Sequence, residues 1–200
     1  MLHFGRSLDF FRRIYNTMVD LMALEKQFLS AHIREGITAV DFTMGNGHDT
    51  LFLSKAIGES GRLYAFDIQD QALENTRKRL EENGCPQNYT LIKASHSLVK
   101  EYVSEKINVG VFNLGYLPGG DKSITTLRET TLPAVDGALE LLADDGIILI
   151  AIYPGHAEGE VEGKLLTEKL SALDRKQICV SRFTILNSPT SPYFIAIEKK

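Results

Sequence analysis

The sequence predicts an α/β protein built on a doubly wound, mostly parallel sheet of seven strands, with a helix at its start and an antiparallel hairpin at its end. Strand-like and helix-like segments alternate from residue 37 to residue 173, an order typical of a parallel sheet with helices on both faces. Two strand-like segments then follow with no helix between them, which indicates the hairpin. No repeat or linker divides the 200 residues, so residues 1–200 should form a single domain.

The first predicted element is an amphipathic helix over residues 7–32, within a helical N-terminal part of residues 1–35. Its apolar residues recur at steps of three and four, as on one face of a helix. They are Leu8, Phe11, Ile14, Tyr15, Met18, Leu21, Met22, Phe28 and Leu29. This stripe is longer than one sheet edge needs to bury, so we expect it to pack on a second copy in a homodimer.

The remaining elements follow from runs of apolar residues separated by glycine, proline and polar residues. Strands are predicted at residues 37–42, 62–66, 89–92, 107–112, 146–153, 177–186 and 193–198. Helices are predicted from Gly47 through Ile57 and at residues 71–83, 125–142 and 160–173. The turn-rich residues 187–192 are too few for a helix and should connect the hairpin.

Composition excludes several classes of protein. The 22 basic and 26 acidic residues give a net charge of −4, so the molecule as a whole does not attract nucleic acid electrostatically. Cys85 and Cys179 lack the spacing of a zinc or redox site, and we predict no metal site. Without a membrane-length apolar run or a signal-peptide pattern, a cytoplasmic protein is expected.

A glycine-rich turn follows the first predicted strand. Asp41 ends that strand, and Thr43, Gly45 and Gly47 follow at every second position, a pattern that lets a ligand approach the backbone closely. The dinucleotide fingerprint would need a third glycine at Thr50, so the motif is not GxGxxG. A plain tight turn remains the alternative.

The second predicted strand also ends in an acid, Asp67, which lies 20 residues beyond Gly47. At this spacing a carboxylate can accept hydrogen bonds from the two hydroxyls of a ribose, in NAD or in S-adenosyl-L-methionine (AdoMet) alike. Asp67 could instead cap the helix that follows.

Asn113, Tyr116 and a cluster of glycine and proline follow the fourth predicted strand. An amide, an aromatic ring and a flexible backbone at the end of a buried strand indicate a binding site, although a structural loop remains possible.

Two of these segments resemble motifs of AdoMet-dependent class I methyltransferases. The turn from Asp41 to Gly47 resembles their first cofactor-binding motif, with Thr43 in place of its usual first glycine. Residues 113–122, NLGYLPGGDK, resemble the Asn-Pro-Pro-Tyr motif of amino-group methyltransferases, with Leu114 and Gly115 in place of the two prolines. The resemblance implies a class I methyltransferase, Rossmann-like fold.

Five phrases together resemble one family. DFTMGNGHDTLFL, AFDIQ, SH, NLGYLPGGDK and AIYPGH occur in this order over residues 40–156. They are similar to the bacterial MnmM/YtqB-like tRNA methyltransferases, often named rRNA methylases, which complete 5-methylaminomethyl-2-thiouridine at the wobble position. The resemblance implies that AdoMet methylates the 5-aminomethyl group of this uridine, with the tRNA anticodon stem-loop as partner.

The resemblance also implies site residues. We expect the cofactor to be bound by Asp41, Thr43, Gly45, Asn46, Gly47, Asp49, Thr50, Asp67, Ile68, Gln69, Ser95, His96 and Asn113. The expected catalytic residues are Asn113, which would orient the amine, Tyr116, which would pack on the splayed base, and His156.

The sequence leaves the proton acceptor, the RNA contacts and the exact reaction open. His156 and Asp121 are candidate proton acceptors, and Arg12, Arg13, Lys122 and Arg128 are candidate phosphate contacts. Methylation of rRNA or of a small amine is an alternative reaction. A nucleotide-dependent oxidoreductase or a nucleotide-binding protein without catalytic activity would share much of the same pattern.

Overall fold

The computed structural model describes residues 20–155 and 157–200. The described residues form one seven-stranded sheet. The strands are β1 (Thr38–Asp41), β2 (Arg62–Asp67), β3 (Tyr89–Lys93), β4 (Ile107–Leu114), β5 (Leu142–Ile152), β6 (Ile178–Phe183) and β7 (Tyr193–Lys199). The helices are α1 (Leu21–His32), α2 (His48–Ile57), α3 (Asp70–Glu82), α4 (Val99–Tyr102), α5 (Arg128–Leu141) and α6 (Ala157–Ser171), with a 3-10 turn at His96–Leu98.

The topology confirms the predicted doubly wound sheet. Its strand order is β3-β2-β1-β4-β5-β7-β6, in which the first five strands are parallel. β7 runs antiparallel to both β5 and β6, which confirms the terminal hairpin. The order reverses between β1 and β4, and ligands bind open α/β sheets at such a switch point, beyond the carboxyl ends of the strands.

The sheet is buried between two hydrophobic layers. On one face, α4, α5 and α6 cover a cluster that includes the stacked rings of Phe42 and Phe112, whose centroids lie 4.0 Å apart. On the other face, Leu29 of α1 and Leu53 of α2 pack against β1, β4, β5 and β7. This packing makes the sheet rigid, so that the strand ends are fixed relative to one another.

Asp20 interrupts the predicted N-terminal helix. Its backbone is extended, and its carboxylate accepts hydrogen bonds from the backbone nitrogens of Met22 and Ala23, as an N-cap does. The prediction of one continuous helix over residues 7–32 is therefore wrong at Asp20, where α1 begins. Residues 1–19, which include Arg12 and Arg13, lie outside the described residues.

Other elements also differ from the predictions: β5 begins at Leu142 rather than at residue 146, and β6 ends at Phe183 rather than at residue 186. α5 begins at Arg128 rather than at residue 125, because Thr125 forms an antiparallel bridge with Tyr116 and Leu127 is extended. β4 continues to Leu114, so Asn113 belongs to the strand. The 3-10 turn and α4 were not predicted, since segments this short carry too little periodicity.

Among the described residues, every helix is too short or too polar to pass through a lipid bilayer.

Candidate functional site

A cavity of about 910 Å³ opens at the carboxyl edge of the sheet. The loops that follow β1, β2, β3, β4 and β5 form its wall, together with α1. Its size lies within the range of pockets that enclose a small-molecule ligand. The predicted residues that line it are Thr43, Gly45, Asn46, Asp49, Asp67, Ile68, Gln69, Ser95, His96, Asn113 and Tyr116.

Asp41, Gly47 and Thr50 lie behind the wall and shape the glycine-rich turn. Asp41 is 1% exposed and accepts hydrogen bonds from Thr50 Oγ1 at 2.6 Å and from the backbone nitrogen of Thr43 at 3.1 Å. Burial, with Asp49 nearby, raises the pKa of Asp41 to about 7. Gly47 has a φ of 76°, and a Cβ there would lie 2.8 Å from Thr76 Oγ1.

Asp67 joins two loops of the wall. Its carboxylate oxygens accept hydrogen bonds from the backbone nitrogens of Gly45 at 3.1 Å and Gln69 at 3.0 Å. Gln69, not Asp67, occupies the N-cap position of α3, so the alternative of Asp67 as a helix cap is not realised. Burial raises the pKa of Asp67. The carboxylate keeps lone pairs for donors of a ligand in the cavity.

Asn46 links the glycine-rich turn to the loop after β4. Its side-chain nitrogen donates to the carbonyl of Pro118 at 3.0 Å, and its side-chain oxygen accepts from Asn75 at 2.8 Å. Arg79 Nε donates to the Asn46 carbonyl at 2.6 Å. These contacts hold two walls of the cavity at a fixed separation.

His96 presents an unpaired acceptor in the wall. Its Nδ1 lies 3.1 Å from the carbonyl oxygen of Phe42, which can only accept, so Nδ1 carries the proton. The side chain is 8% exposed, burial lowers its pKa, and Nε2 has no hydrogen-bond partner among the residues that the structure describes. Because a buried polar atom without a partner is costly, Nε2 is suited to accept a hydrogen bond from a ligand.

Asn113 is fixed at the switch point by two hydrogen bonds. Its backbone nitrogen donates to Thr43 Oγ1 at 2.7 Å, and its Nδ2 donates to Asp49 Oδ2 at 2.8 Å. The second bond fixes which side-chain atom is the nitrogen. Asn113 Oδ1 is therefore the acceptor that a ligand can meet.

Tyr116 stands at the cavity wall with 41% of its surface exposed. Lys122 Nζ lies 5.6 Å from the centre of its ring. Asp121 is exposed and its carboxylate accepts hydrogen bonds from the side chain and backbone of Ser123, which lower its pKa. Asp121 does not line the cavity. Arg128, a candidate phosphate contact, forms ion pairs with Glu129 and Glu158. His156 lies outside the described residues.

Sequence reasoning missed the residues that α1 contributes and, after β5, it selected His156 but not Tyr153. Met22, Lys26 and Tyr153 line the cavity, and Tyr153 Oη lies 3.8 Å from Met22 Sδ. Glu25, between these two residues of α1, is 4% exposed. Burial, followed by the charge of Asp49, raises the pKa of Glu25 to about 8. The only sequence signal was a glutamate one turn from apolar positions of an amphipathic helix.

Comparison with known proteins gives consistent matches along the chain. The family model described as "Putative rRNA methylase" matches residues 63–199. The chloroplastic tRNA (mnm(5)s(2)U34)-methyltransferase of Arabidopsis thaliana is 36% identical over 181 residues, which cover 84% of this chain. The chain spans 65% of the length of that protein.

Solved structures match over a larger part of both chains. A "putative rRNA-methylase" from Clostridium thermocellum is 39% identical with a TM-score of 0.89, and covers 92% of this chain and 100% of its own. A "putative methyltransferase" from Streptococcus mutans, solved in complex with SAH, is 36% identical with a TM-score of 0.83 and the same coverage.

Proposed function

The chain belongs to the rRNA methylase family, and we propose that it is an AdoMet-dependent methyltransferase that converts 5-aminomethyl-2-thiouridine to its methylaminomethyl form at the tRNA wobble position. The fold is that of the class I methyltransferases, as the sequence predicted, and the similar structures carry it over almost the whole chain. One part of the cavity supports AdoMet as the cofactor, and another part supports an amine as the methyl acceptor.

Three features of the wall fit AdoMet. The Asp67 carboxylate is suited to the ribose hydroxyls, the turn at Gly45 allows close approach of the backbone, and Nε2 of His96 offers an acceptor to an amino group of the base. The Streptococcus mutans relative, at 36% identity, was solved with SAH, the demethylated product of AdoMet. When bound, AdoMet supplies a methyl group activated by a sulfonium.

The position of Asn113 is the observation that best supports an amine as the methyl acceptor. Its Oδ1 is directed by the bond to Asp49, and it lies on the cavity wall beside the expected methyl donor. An amide oxygen accepts a hydrogen bond from an amine and leaves the nitrogen lone pair free to attack. Tyr116 is exposed at the same wall, where its ring can pack on a base. The Arabidopsis relative acts on the wobble uridine of tRNA, as its name states.

The residues of this chain would then act mainly by positioning. Methyl transfer is an in-line displacement that needs the nitrogen, carbon and sulfur to be nearly collinear, and holding them so supplies much of the acceleration. The nitrogen must also be unprotonated, although an alkylamine in water at neutral pH is mostly charged. The site must therefore either favour the neutral amine by desolvation or accept its proton.

Methylation of rRNA is the second candidate, because the family and its solved relatives carry that description. Lys122, which lies over the ring of Tyr116, would serve either RNA as a phosphate contact. The predicted homodimer and the contacts of Arg12 and Arg13 stay predictions, and the proposal places the reaction in the cytoplasm with the tRNA.

A nucleoside digest tests the proposal. Purified protein and AdoMet would be incubated with tRNA carrying 5-aminomethyl-2-thiouridine, with tRNA lacking that amine, and with rRNA, and the nucleosides would be measured by mass spectrometry. We expect one methyl group on the amine of the first tRNA alone. Equal methylation of the amine-free tRNA, methylation of a ring carbon, or methylation of rRNA instead would overturn the proposal.

A further inference from the structure

Glu25 is a buried acid for which the proposed reaction has so far no use. At 4% exposure it forms no hydrogen bond or ion pair with any other described residue. A carboxylate removed from water without a partner costs several kcal/mol, so such a group is rarely kept for stability. Its neighbours along α1, Met22 and Lys26, line the cavity.

Most of the charges that the described residues place around Glu25 are negative. Asp49 of α2 and Asp41 of β1 both act on it to favour its protonated form, and within the described part of the chain Lys26 acts in the opposite sense. Tyr153, after β5, faces two of the same charges: burial, followed by the charges of Glu25 and Asp49, raises the pKa of its phenol. A low-dielectric region with this excess of carboxyl groups favours the binding of a cation.

The position of the acids along the sheet indicates which cation they meet. Two residues are suited to the nucleoside part of the cofactor: Asp67 is the last residue of β2, and His96 follows β3. Asn113, bonded to Asp49, lies on β4, two strands from β2 and so about 10 Å away across the sheet. The acids therefore lie toward the part of the cavity where the methyl group and the acceptor meet.

We propose that Asp49, backed by Glu25, binds the acceptor as an alkylammonium ion beside Asn113 and takes up the proton that the amine loses. This inference rests on the proposed function and adds to it the charge of the acceptor and the identity of the proton acceptor. Asp49 is the residue that touches the acceptor, while Glu25 is a positioning residue that acts through Asp49. The described residues bring no three His, Cys, Asp or Glu side chains together as metal ligands, which favours an organic cation.

The step balances without any further reactant. The ammonium group gives one proton to Asp49, which together with Glu25 we call the carboxyl pair, and becomes a neutral amine with a free lone pair. That lone pair forms the bond to the methyl carbon while the carbon–sulfur bond breaks and its electrons stay on sulfur. The product is a secondary ammonium ion, and the proton on the carboxyl pair passes to solvent.

A binding comparison tests the charge of the acceptor without turnover. Two anticodon stem-loop RNAs would differ only in carrying 5-aminomethyluridine or neutral 5-hydroxymethyluridine at the wobble position. Each would be titrated into protein saturated with SAH at pH 8.5, where Glu25, whose pKa is about 8, is mostly ionised. A charge-assisted hydrogen bond predicts that the native protein prefers the amine by about tenfold or more. No preference in the native protein would overturn the inference even if tRNA is methylated. A preference without methyl transfer would instead refute the proposed reaction and leave the cation site standing.

Variants of Glu25 separate the acceptor from the cofactor. In Glu25→Gln we expect the preference for the amine RNA to fall to about threefold or less, with unchanged affinity for AdoMet. Glu25→Asp should restore most of the preference, and Glu81→Gln, the same charge change on the exposed face of α3, should leave it intact. A loss of AdoMet affinity in parallel with RNA affinity would show that the acids serve the cofactor's own ammonium group and would overturn the inference.

The pH profile adds a measurement that a purely structural role would not change. For the native protein, kcat/KM should rise with pH as Glu25, whose pKa burial raises to about 8, becomes ionised beside Asp49. Among the described residues, the other titratable groups that act on Glu25 or respond to it are Asp41, Lys26 and Tyr153. In Glu25→Gln the rising limb should move, and in Glu25→Asp it should return. Identical profiles for the native protein and Glu25→Gln would refute the part assigned to Glu25.

Discussion

Replacing Glu25 by glutamine should make the folded protein more resistant to alkaline pH. In the folded state the pKa of Glu25 is raised from 4.5 to about 8, so between these two pH values the folded protein holds a proton that the unfolded chain releases. Stability therefore falls as pH rises through this window. Glutamine has the shape of the protonated carboxyl group but cannot ionise, so it removes the loss.

The size of the effect follows from the shift. Each unit of pKa difference corresponds to about 1.4 kcal/mol, so a shift from 4.5 to about 8 predicts a loss of about 4 to 5 kcal/mol in the free energy of unfolding. Asp41, whose pKa rises from 3.8 to about 7, adds a loss of the same sign that the substitution leaves in place. The difference between the two proteins, rather than either curve alone, reports Glu25.

Urea unfolding of the native protein and Glu25→Gln at pH 4.5, 6.5 and 8.5 measures this difference. We expect nearly equal stability at pH 4.5 and an advantage for Glu25→Gln of several kcal/mol at pH 8.5. Glu81→Gln, on the exposed face of α3, should follow the native curve. Parallel pH dependence of the native protein and Glu25→Gln would refute the burial argument.

Three further substitutions address other parts of the site. Asp67→Asn should weaken AdoMet binding by about 1.5 to 3 kcal/mol through loss of charge-assisted hydrogen bonds, and unchanged affinity by calorimetry would remove Asp67 from the cofactor site. Tyr116→Ala should lower turnover on tRNA and spare AdoMet affinity, since stacking on a base is worth about 1 to 3 kcal/mol; equal damage to both would assign Tyr116 to the fold. Thr50→Val removes the 2.6 Å hydrogen bond to buried Asp41 and should cost about 1 to 3 kcal/mol in urea unfolding, whereas an unaffected midpoint would contradict the structural role of this bond.

The fold could be predicted because each strand of the sheet has a recognisable local sequence pattern. Each strand is a short apolar run and each connection carries its own turn residues, so the order of elements follows without knowledge of contacts. The same order places Asp67, Ser95 and Asn113 at one edge, because the carboxyl ends of parallel strands meet there.

The part of the site formed by α1 could not be predicted in this way. Its apolar stripe indicates that the helix packs on something, but the path of the helix across the sheet depends on tertiary packing with Phe183 and Phe194 of the terminal hairpin. Met22 and Lys26 reach the cavity through that path, and it buries Glu25 between them. Asp20, followed by a helical pattern, was an N-cap signal that the continuous stripe obscured.

Asp41 and Asp67 show why an identical sequence signal can have two outcomes. Both are acids that end a parallel strand before a turn. β1 lies between β2 and β4, and the glycine-rich turn folds back over its end, so Asp41 is enclosed, with its carboxylate bonded to Thr43 and Thr50. β2 lies one strand farther out, where its following loop leaves Asp67 on the cavity wall. Strand order therefore decides which of two equivalent carboxylates is available to a ligand, and strand order is a property of the whole sheet rather than of either motif.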